Sequence, residues 1–504
     1  MRSLQFPAQA LLLLAVGAIL VALHADTLWS QSVDLAHHYA LVFRLTENWA
    51  FAPNDPSLGE MNIYPRLGHT LAAGAGLLAD SPFMGLHLVA LGALALVWAS
   101  FLLILYAAPG RSGMLAALVL ALLMWINHGA VRIHGTELSH DYHFAQLLAQ
   151  ALAVLAIACA IRIEARLPKA AVYVFLLAAI GLIIQAHLLP ALELLGVLAG
   201  LALLDTWKAP REERGGAAVR ALVAVAAGIA LIVLHPTFAT MREISQHNGG
   251  LSLGPLGKIW AIGIVCLLVL ASAASLLRTW HGDPQRYRMY KYLALYGAAI
   301  AGLCLLQMAL RYAGLGSDYA VKKYAAGLCS FLFVRIALWA GAAAERRLAA
   351  RPALARALDR PAVAFLVLAL ALTPAMRIKQ RPADRLDVPA VVAAERQVAA
   401  LRGTVLSTPA PDRSNVVVDL DGLPSVISYM LSIGVAHAPR NVAWLEMTGA
   451  TLGPLERYGL IVTSRNAARF AGRAHCSTIA GGPLLVLDAA CLHQAPLAAQ
   501  EPRP

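Results

Sequence analysis

One acid, just beyond the first apolar helix, is placed to act as a base at a membrane surface. Asp34 lies about ten residues past the end of that helix, where partial desolvation would keep its carboxylate a competent proton acceptor. The rival base is Asp26, but it lies so close to the helix end that a structural role there explains it better. For Asp34 itself, a helix N-cap or a surface acid is the alternative.

Two imidazoles follow Asp34 at helical spacing. His37 and His38 are three and four positions away, so on a helix they share a face with the carboxylate. They could contact a common metal or phosphate, and we expect both to bind substrate. Interfacial histidines without any ligand are also common, so that alternative stays open.

A second polar segment, residues 132–143, contains three histidines and two acids. Glu137, His140 and Asp141 could hold a divalent cation: carboxylates favour Mg²⁺ or Mn²⁺ and imidazole favours Zn²⁺. A polar loop that caps the next helix through His140 or Asp141 explains the same residues. A mechanism without metal therefore stays open.

Two adjacent cations, Lys322 and Lys323, lie in a later segment beside Tyr319. A lysine ammonium suits a monophosphate or pyrophosphate headgroup, although snorkelling to ordinary phospholipid would give the same pattern. Arg66 and His187, also at ends of apolar runs, are further candidates for substrate binding. A base and phosphate-binding cations are what group transfer from a phosphate leaving group requires.

The composition is that of a polytopic membrane protein, because 59% of the 504 residues are hydrophobic and only 13% are charged. The net charge of +12 arises from Lys and Arg in short loops, which topology explains better than a nucleic-acid partner. Apolar stretches long enough to span a bilayer predict about eleven helices, near 8–24, 84–107, 114–130, 144–163, 170–186, 189–205, 220–236, 258–278, 292–312, 324–343 and 361–376.

The topology follows from the alternation of basic and less basic loops, which predicts a cytoplasmic N-terminus and an outer C-terminus. Leu23 and Ala25 form a poor cleavage pair, so the first helix is expected to be retained. The break at residues 185–190 is either a kink or a hairpin. Residues 1–376 are predicted to form the membrane module, with outer loops at about 25–83, 131–143, 237–257 and 313–323.

Residues 377–504 are predicted to form a small soluble α/β domain outside the membrane. Short β-like runs at 416–420, 460–463 and 484–487 flank a helical pattern at 424–434. Cys476 and Cys491 both lie in this segment and could form a disulfide in an oxidising compartment, or could be two unpaired thiols.

An acid just past the first of about eleven helices, a second acidic outer loop and an outer C-terminal domain resemble the GT-C superfamily of polyprenyl-phosphate-sugar-dependent glycosyltransferases. The segment 318–324 is similar to Tyr/Lys motifs of its arabinofuranosyltransferase-like members. The resemblance implies that Asp34 is essential and that Glu137 and Asp141 help to bind metal or substrate. Here the first-loop acid stands alone, whereas many members pair it with a second.

The expected activity is inverting transfer of a sugar from a polyprenyl-phosphate donor to a glycan, lipid or protein hydroxyl, on the periplasmic face of a bacterial inner membrane. An O-antigen polymerase or ligase would share the lipid-phosphate chemistry but depend more on outer Arg or His. A secondary transporter would place ionisable residues near the middle of the bilayer, whereas here they gather at the outer ends. A non-catalytic protein of envelope assembly would tolerate loss of Asp34.

Overall fold

The computed structural model describes residues 5–28, 32–49, 55, 58–107, 111–127, 130–246, 256–278, 283–348, 350, 361–376, 386–402, 414–435, 455, 458–479 and 482–494. Among the described residues before 377, the regular structure is helical except for the two-residue strand β1 (Thr27–Leu28). Its α-helices are α1 Gln5–His24, α2 Val33–Glu47, α3 Leu67–Ala79, α4 Pro82–Leu105, α5 Ser112–Asn127, α6 Thr136–His140, α7 Phe144–Ile163, α8 Lys169–Ile183, α9 Leu188–Lys208, α10 Arg214–Val233, α11 Pro236–Gln246, α12 Leu256–Arg278, α13 Pro284–Tyr312, α14 Asp318–Leu348 and α15 Pro361–Leu372.

The described helices are those of a multi-pass membrane protein. Eight are long and apolar enough to cross a bilayer: α1, α4, α7, α9, α10, α12, α13 and α14. The other three predicted spans also coincide with apolar helices, but α5 and α8 have only 16 and 15 residues and α15 only 12. The sequence therefore located each apolar segment, and the helices differ from the prediction in length.

Two helices of the first long loop form the support of the site. α2 is buried along most of its length and packs against α3 and α4. α3 in turn packs closely on α4. A Cβ at Gly85 of α4 would lie 2.2 Å from the carbonyl oxygen of Ala72, so glycine is required for this approach.

The break after α8 is a hairpin. α8 ends at Ile183, α9 begins after His187, and the two helices pack against each other. The backbone N–H of Leu67 donates to the carbonyl of Gln185 across 3.0 Å. The start of α3 is thereby joined to this hairpin at the same end of the bundle.

The tail is a small α/β unit, as predicted. Its elements are β2 Leu386–Asp387, α16 Val388–Arg402, β3 Ser414–Val417, α17 Ser425–Ser432, β4 Tyr458–Ser464, β5 Leu484–Asp488 and α18 Ala489–Gln494. β3 runs parallel to β4, which pairs antiparallel with β5. β1 pairs with β2, so the chain leaving the first helix is hydrogen-bonded to the tail. Cys476 and Cys491 form a disulfide.

Candidate active site

Asp34 begins α2 at the end of the bundle where the predicted outer loops meet. Ser32 caps this helix by accepting a hydrogen bond from the Asp34 backbone N–H, and the Ser32 hydroxyl donates to the Asp141 carbonyl at 3.3 Å. The Asp34 side chain is 37% exposed and lies 3.8 Å from Nε2 of the buried His143. This capping serine thus ties the first polar loop to the second, and Asp34 is reachable from solvent in the helix's first turn.

Cations from two further segments reach this carboxylate cluster. Lys322 Nζ lies 4.0 Å from one oxygen of Asp141, and Arg132 lies 3.6 Å from the other. Lys323 is buried, yet both Asp34 and Asp141 interact with it electrostatically. The cluster therefore contains two acids, Asp34 and Asp141, and three cations. These five residues come from three separate segments of the chain.

Lys323 also has two aromatic neighbours. Its Nζ lies 3.2 Å from Nε2 of His187 and 4.0 Å from the centre of the Tyr319 ring, a cation–π distance. His187 caps α9 by accepting from the Leu189 backbone N–H through Nδ1. The fold thus brings six of the predicted residues together in this cluster: Asp34, Asp141, His187, Tyr319, Lys322 and Lys323.

The histidines around this cluster are kept neutral by burial. Burial lowers the pKa of His143 well below its usual range, and the charges of Lys323, Lys322 and Arg132 lower it further. Burial likewise lowers the pKa of His187, with Lys323 as the next cause. At neutral pH these imidazoles add hydrogen-bonding atoms to the site without adding charge.

Two predicted substrate-binding residues have other partners. His37 lies 3.5 Å from the hydroxyl of Tyr429 in α17, so it contacts the tail. Arg66 is exposed and donates to the Asn62 carbonyl at 3.1 Å. Neither contact joins them to the lysine cluster, and their binding roles stay predictions.

The predicted metal ligands are not gathered among the described side chains. Glu137 is buried and accepts from His134 Nδ1 at 2.9 Å and from the Gly135 backbone N–H at 2.6 Å, whereas Asp141 faces Arg132 and Lys322. The side chain of His140 lies outside the described residues. The Mg²⁺ or Mn²⁺ site stays a prediction from sequence.

Within the described residues, the one group of metal-ligand type is His475 with Cys476 and Cys491. Those two sulfurs are already joined in the disulfide, which removes them as thiolate ligands.

Sequence reasoning missed several residues that the fold brings to this region. His69, 31 positions from His38, contacts it directly, and no local pattern connects the two. Glu193 is buried within α9 and accepts a 2.7 Å hydrogen bond from Gln150 of α7. A lone Glu inside an apolar run was a readable signal, and Glu193 lies in the second turn of α9, near the end of that helix that His187 caps.

A separate cleft of about 490 Å³ lies between α2 and the tail. Tyr39, Phe43, Ser81, Glu395 and Arg402 are among its lining residues. Tyr39 is on a different face of α2 from Asp34 and His38, because five residues turn a helix by about 140°. This cleft is therefore distinct from the Asp34 cluster.

Comparison with known proteins gives a distant structural likeness. No protein-family model matches the sequence, and no curated protein matches it. The chain is similar to the crystal structure of ArnT from Cupriavidus metallidurans bound to undecaprenyl phosphate, with 13% identity, 99% of each chain covered and a TM-score of 0.35. A likeness this low carries no conclusion about activity, so function must be inferred from the site.

Proposed function

We propose that this protein is an integral-membrane glycosyltransferase that moves a sugar from a polyprenyl phosphate to a hydroxyl of a glycan, lipid or protein. The observation that carries the proposal is the convergence of an accessible carboxylate, Asp34, with Lys322 and Lys323 at one end of a membrane-spanning helical bundle. General bases and phosphate-binding cations are the two components that this reaction needs.

In the proposed reaction, the acceptor oxygen forms a bond to the anomeric carbon of the sugar. The bond from that carbon to the lipid phosphate oxygen breaks, and the phosphate leaves with the electron pair. Asp34 takes the proton of the acceptor hydroxyl. Lys322 and Lys323 offset the charge on the departing phosphate, and the products are polyprenyl phosphate and the glycosylated acceptor.

Arg132 and Lys322 could exchange their contacts with Asp141 for contacts with a phosphate. Asp141 lies 3.6 and 4.0 Å from Arg132 and Lys322, distances longer than a hydrogen bond. A phosphate could therefore take up their N–H groups at a smaller cost than if the pairs were tight. The proposed orientation places the site on the periplasmic face of the inner membrane, as the loop charges predict.

The test of Asp34 uses the purified protein in proteoliposomes with radiolabelled undecaprenyl-phosphate sugars. Asp34→Asn should lower sugar transfer or donor hydrolysis by about 100-fold or more and keep undecaprenyl-phosphate binding, measured by native mass spectrometry. Asp26→Asn, the rival base, should stay within about threefold of wild type. If Asp26→Asn is the inactive variant, the assignment of the base is wrong.

The lysines are tested by the same lipid-binding measurement. Lys322→Ala should weaken undecaprenyl-phosphate binding about tenfold, the loss expected of one charge-assisted contact. Lys169→Ala, which removes an exposed cation at the start of α8 and at the opposite end of the bundle, is the matched control and should bind normally. Equal losses of lipid binding in both variants would mean that binding depends on general surface charge and not on Lys322.

A polymerase or ligase of lipid-linked glycans is the second candidate. The observation that favours it is the set of buried imidazoles at the site, His143 and His187 among them. Such an enzyme would depend on histidine more than on the acid. His143→Ala losing more activity than Asp34→Ala would favour this alternative.

A further inference from the structure

A buried pair of histidines lies beside the proposed site. His38 is one helical turn after Asp34 on α2 and is 6% exposed, while His69 is in the first turn of α3 and fully buried. His38 Nδ1 and His69 Nε2 are 2.9 Å apart. The pair therefore connects α2 to α3 one helical turn from Asp34.

The partners of His69 decide where the protons of both rings lie. His69 Nδ1 is 3.0 Å from the carbonyl oxygen of Pro65, which can only accept, so Nδ1 carries the hydrogen and donates. A neutral imidazole has a single N–H, and Nε2 of His69 must then accept. The donor in the 2.9 Å contact is consequently Nδ1–H of His38, which leaves His38 Nε2 with its lone pair.

Burial keeps both imidazoles neutral. Burial lowers the pKa of His69 to about 3, opposed by the hydrogen bond to Pro65. Burial also lowers the pKa of His38 well below its usual range, and the neighbouring His69, His37, Lys323 and His143 lower it further. Neither ring is charged at neutral pH.

Aromatic rings and charged groups surround the His38 imidazole. Tyr64, Tyr142 and Phe144 pack around the imidazole edge-on or tilted, and Lys323 and His143 are close enough to act on it electrostatically. Within the described chain, no residue donates a hydrogen bond to His38 Nε2. This atom is not fully enclosed, so a hydroxyl from outside the protein can reach it.

We propose that His38 Nε2 accepts a hydrogen bond from a second hydroxyl of the acceptor substrate, next to the nucleophilic hydroxyl that Asp34 deprotonates, and that His69 is the positioning residue that holds His38 in this tautomer. This inference rests on the proposed function and deepens it. It assigns the acceptor substrate to the end of the site formed by His38 and Asp34, and the lipid phosphate to the end formed by Lys322 and Lys323. An imidazole lone pair repels an anion, so a phosphate group is excluded from the first position.

The test compares two substitutions of His69. Glutamine can accept from His38 through its amide oxygen and donate to the Pro65 carbonyl, so His69→Gln should keep the tautomer. His69→Leu has similar bulk but no acceptor, which frees His38 to place its hydrogen on Nε2. The state of His38 is read by ¹⁵N NMR of histidine-labelled protein in lipid, which separates protonated from unprotonated ring nitrogens.

Wild type and His69→Gln should show an unprotonated Nε2 at His38, and His69→Leu should show protonation there. In the proteoliposome assay, His69→Leu should lower transfer about tenfold or more, the value of one hydrogen bond that orients the acceptor substrate. His69→Gln should stay within about threefold, and both should bind undecaprenyl phosphate as wild type does. Unfolding midpoints identify a variant that is simply misfolded.

A protonated Nε2 at His38 in wild type would overturn the inference whatever the activity. Equal loss of transfer in both variants at equal stability would overturn the positioning role of His69. If wild type neither binds undecaprenyl phosphate nor turns over its sugar derivatives, the proposed function fails and the acceptor role fails with it. The NMR measurement still reports the tautomer separately in that case.

Discussion

Glu395 provides the sharpest test of how the tail is held on the membrane module. This residue of α16 is 5% exposed, and its carboxylate accepts three hydrogen bonds from outside the tail. Tyr39 donates at 2.8 Å and the Phe83 backbone N–H at 3.1 Å to one oxygen, and the Ser81 hydroxyl donates to the other. Ser81 is the N-cap of α4 and Phe83 is its second residue, so the carboxylate lies at a helix N-terminus, where the helix dipole favours a negative charge.

The expected loss of stability arises because truncating Glu395 leaves its hydrogen-bond donors without an acceptor. Glu395→Ala removes three acceptor contacts from a buried position, and each unsatisfied donor costs about 1–3 kcal/mol. Relief of the buried charge offsets part of this, so we expect a net destabilisation of about 3–5 kcal/mol. Glu395→Gln should cost about 1 kcal/mol, because the amide oxygen still accepts and the amide nitrogen can bond Ser81.

The assay is unfolding in mixed detergent micelles titrated with SDS, followed by circular dichroism. The neighbouring Arg396→Ala is the matched control. Its ion pair with Asp80 spans 3.8 Å between exposed side chains, and its loss should change stability by no more than about 0.5 kcal/mol. An unfolding midpoint for Glu395→Ala equal to that of Arg396→Ala would refute the assignment of Glu395 as the buried anchor.

Three further predictions concern stability. Replacing Cys476 and Cys491 together by alanine should destabilise the tail by about 3 kcal/mol, since the disulfide closes a loop with a sequence separation of 15, and adding dithiothreitol to wild type should reproduce this in thermal unfolding. Gly85→Ala should lower the unfolding midpoint because its Cβ would overlap the backbone of α3, whereas a Cβ at Gly92 of the same helix meets nothing within 4 Å, so Gly92→Ala should be neutral or stabilising by up to about 1 kcal/mol. The pKa of His69 is about 3 in the folded protein and near 6.5 in the unfolded chain. Its contribution to folding stability is therefore complete above about pH 6.5 and is lost as the pH falls. Unfolding measured from pH 7 to 4.5 should show a smaller loss of stability with acid for His69→Gln than for wild type.

The membrane helices were predictable because hydropathy over about 20 residues is a local property of the chain. The predicted spans near 84–107 and 144–163 correspond to α4 and α7 within three residues at each end. The positions of the three longer tail strands were equally readable from short apolar β-like runs. The buried position of α2 was not, because an amphipathic pattern does not say whether lipid headgroups or other helices cover its apolar face.

Part of the candidate site was also local. Asp34 and His38 share a face because they are four residues apart on one helix, and Lys322 and Lys323 adjoin in the sequence. The metal prediction for Glu137 and Asp141 rested on density of ligand types alone. The structure gives these two acids different partners, which a count of residue types cannot foresee.

By itself, the sequence determined the membrane class, the apolar segments and the local constellations, since each depends on composition and helical period within one stretch of chain. Only the tertiary structure decided which constellations meet. His38 reaches His69 across 31 positions, Lys323 reaches His187 across 136, and Tyr39 reaches Glu395 across 356. Such pairs depend on which helices become neighbours, and packing selects the neighbours. The close contact of α3 with α4 is an example, because it is possible only where Gly85 has no Cβ.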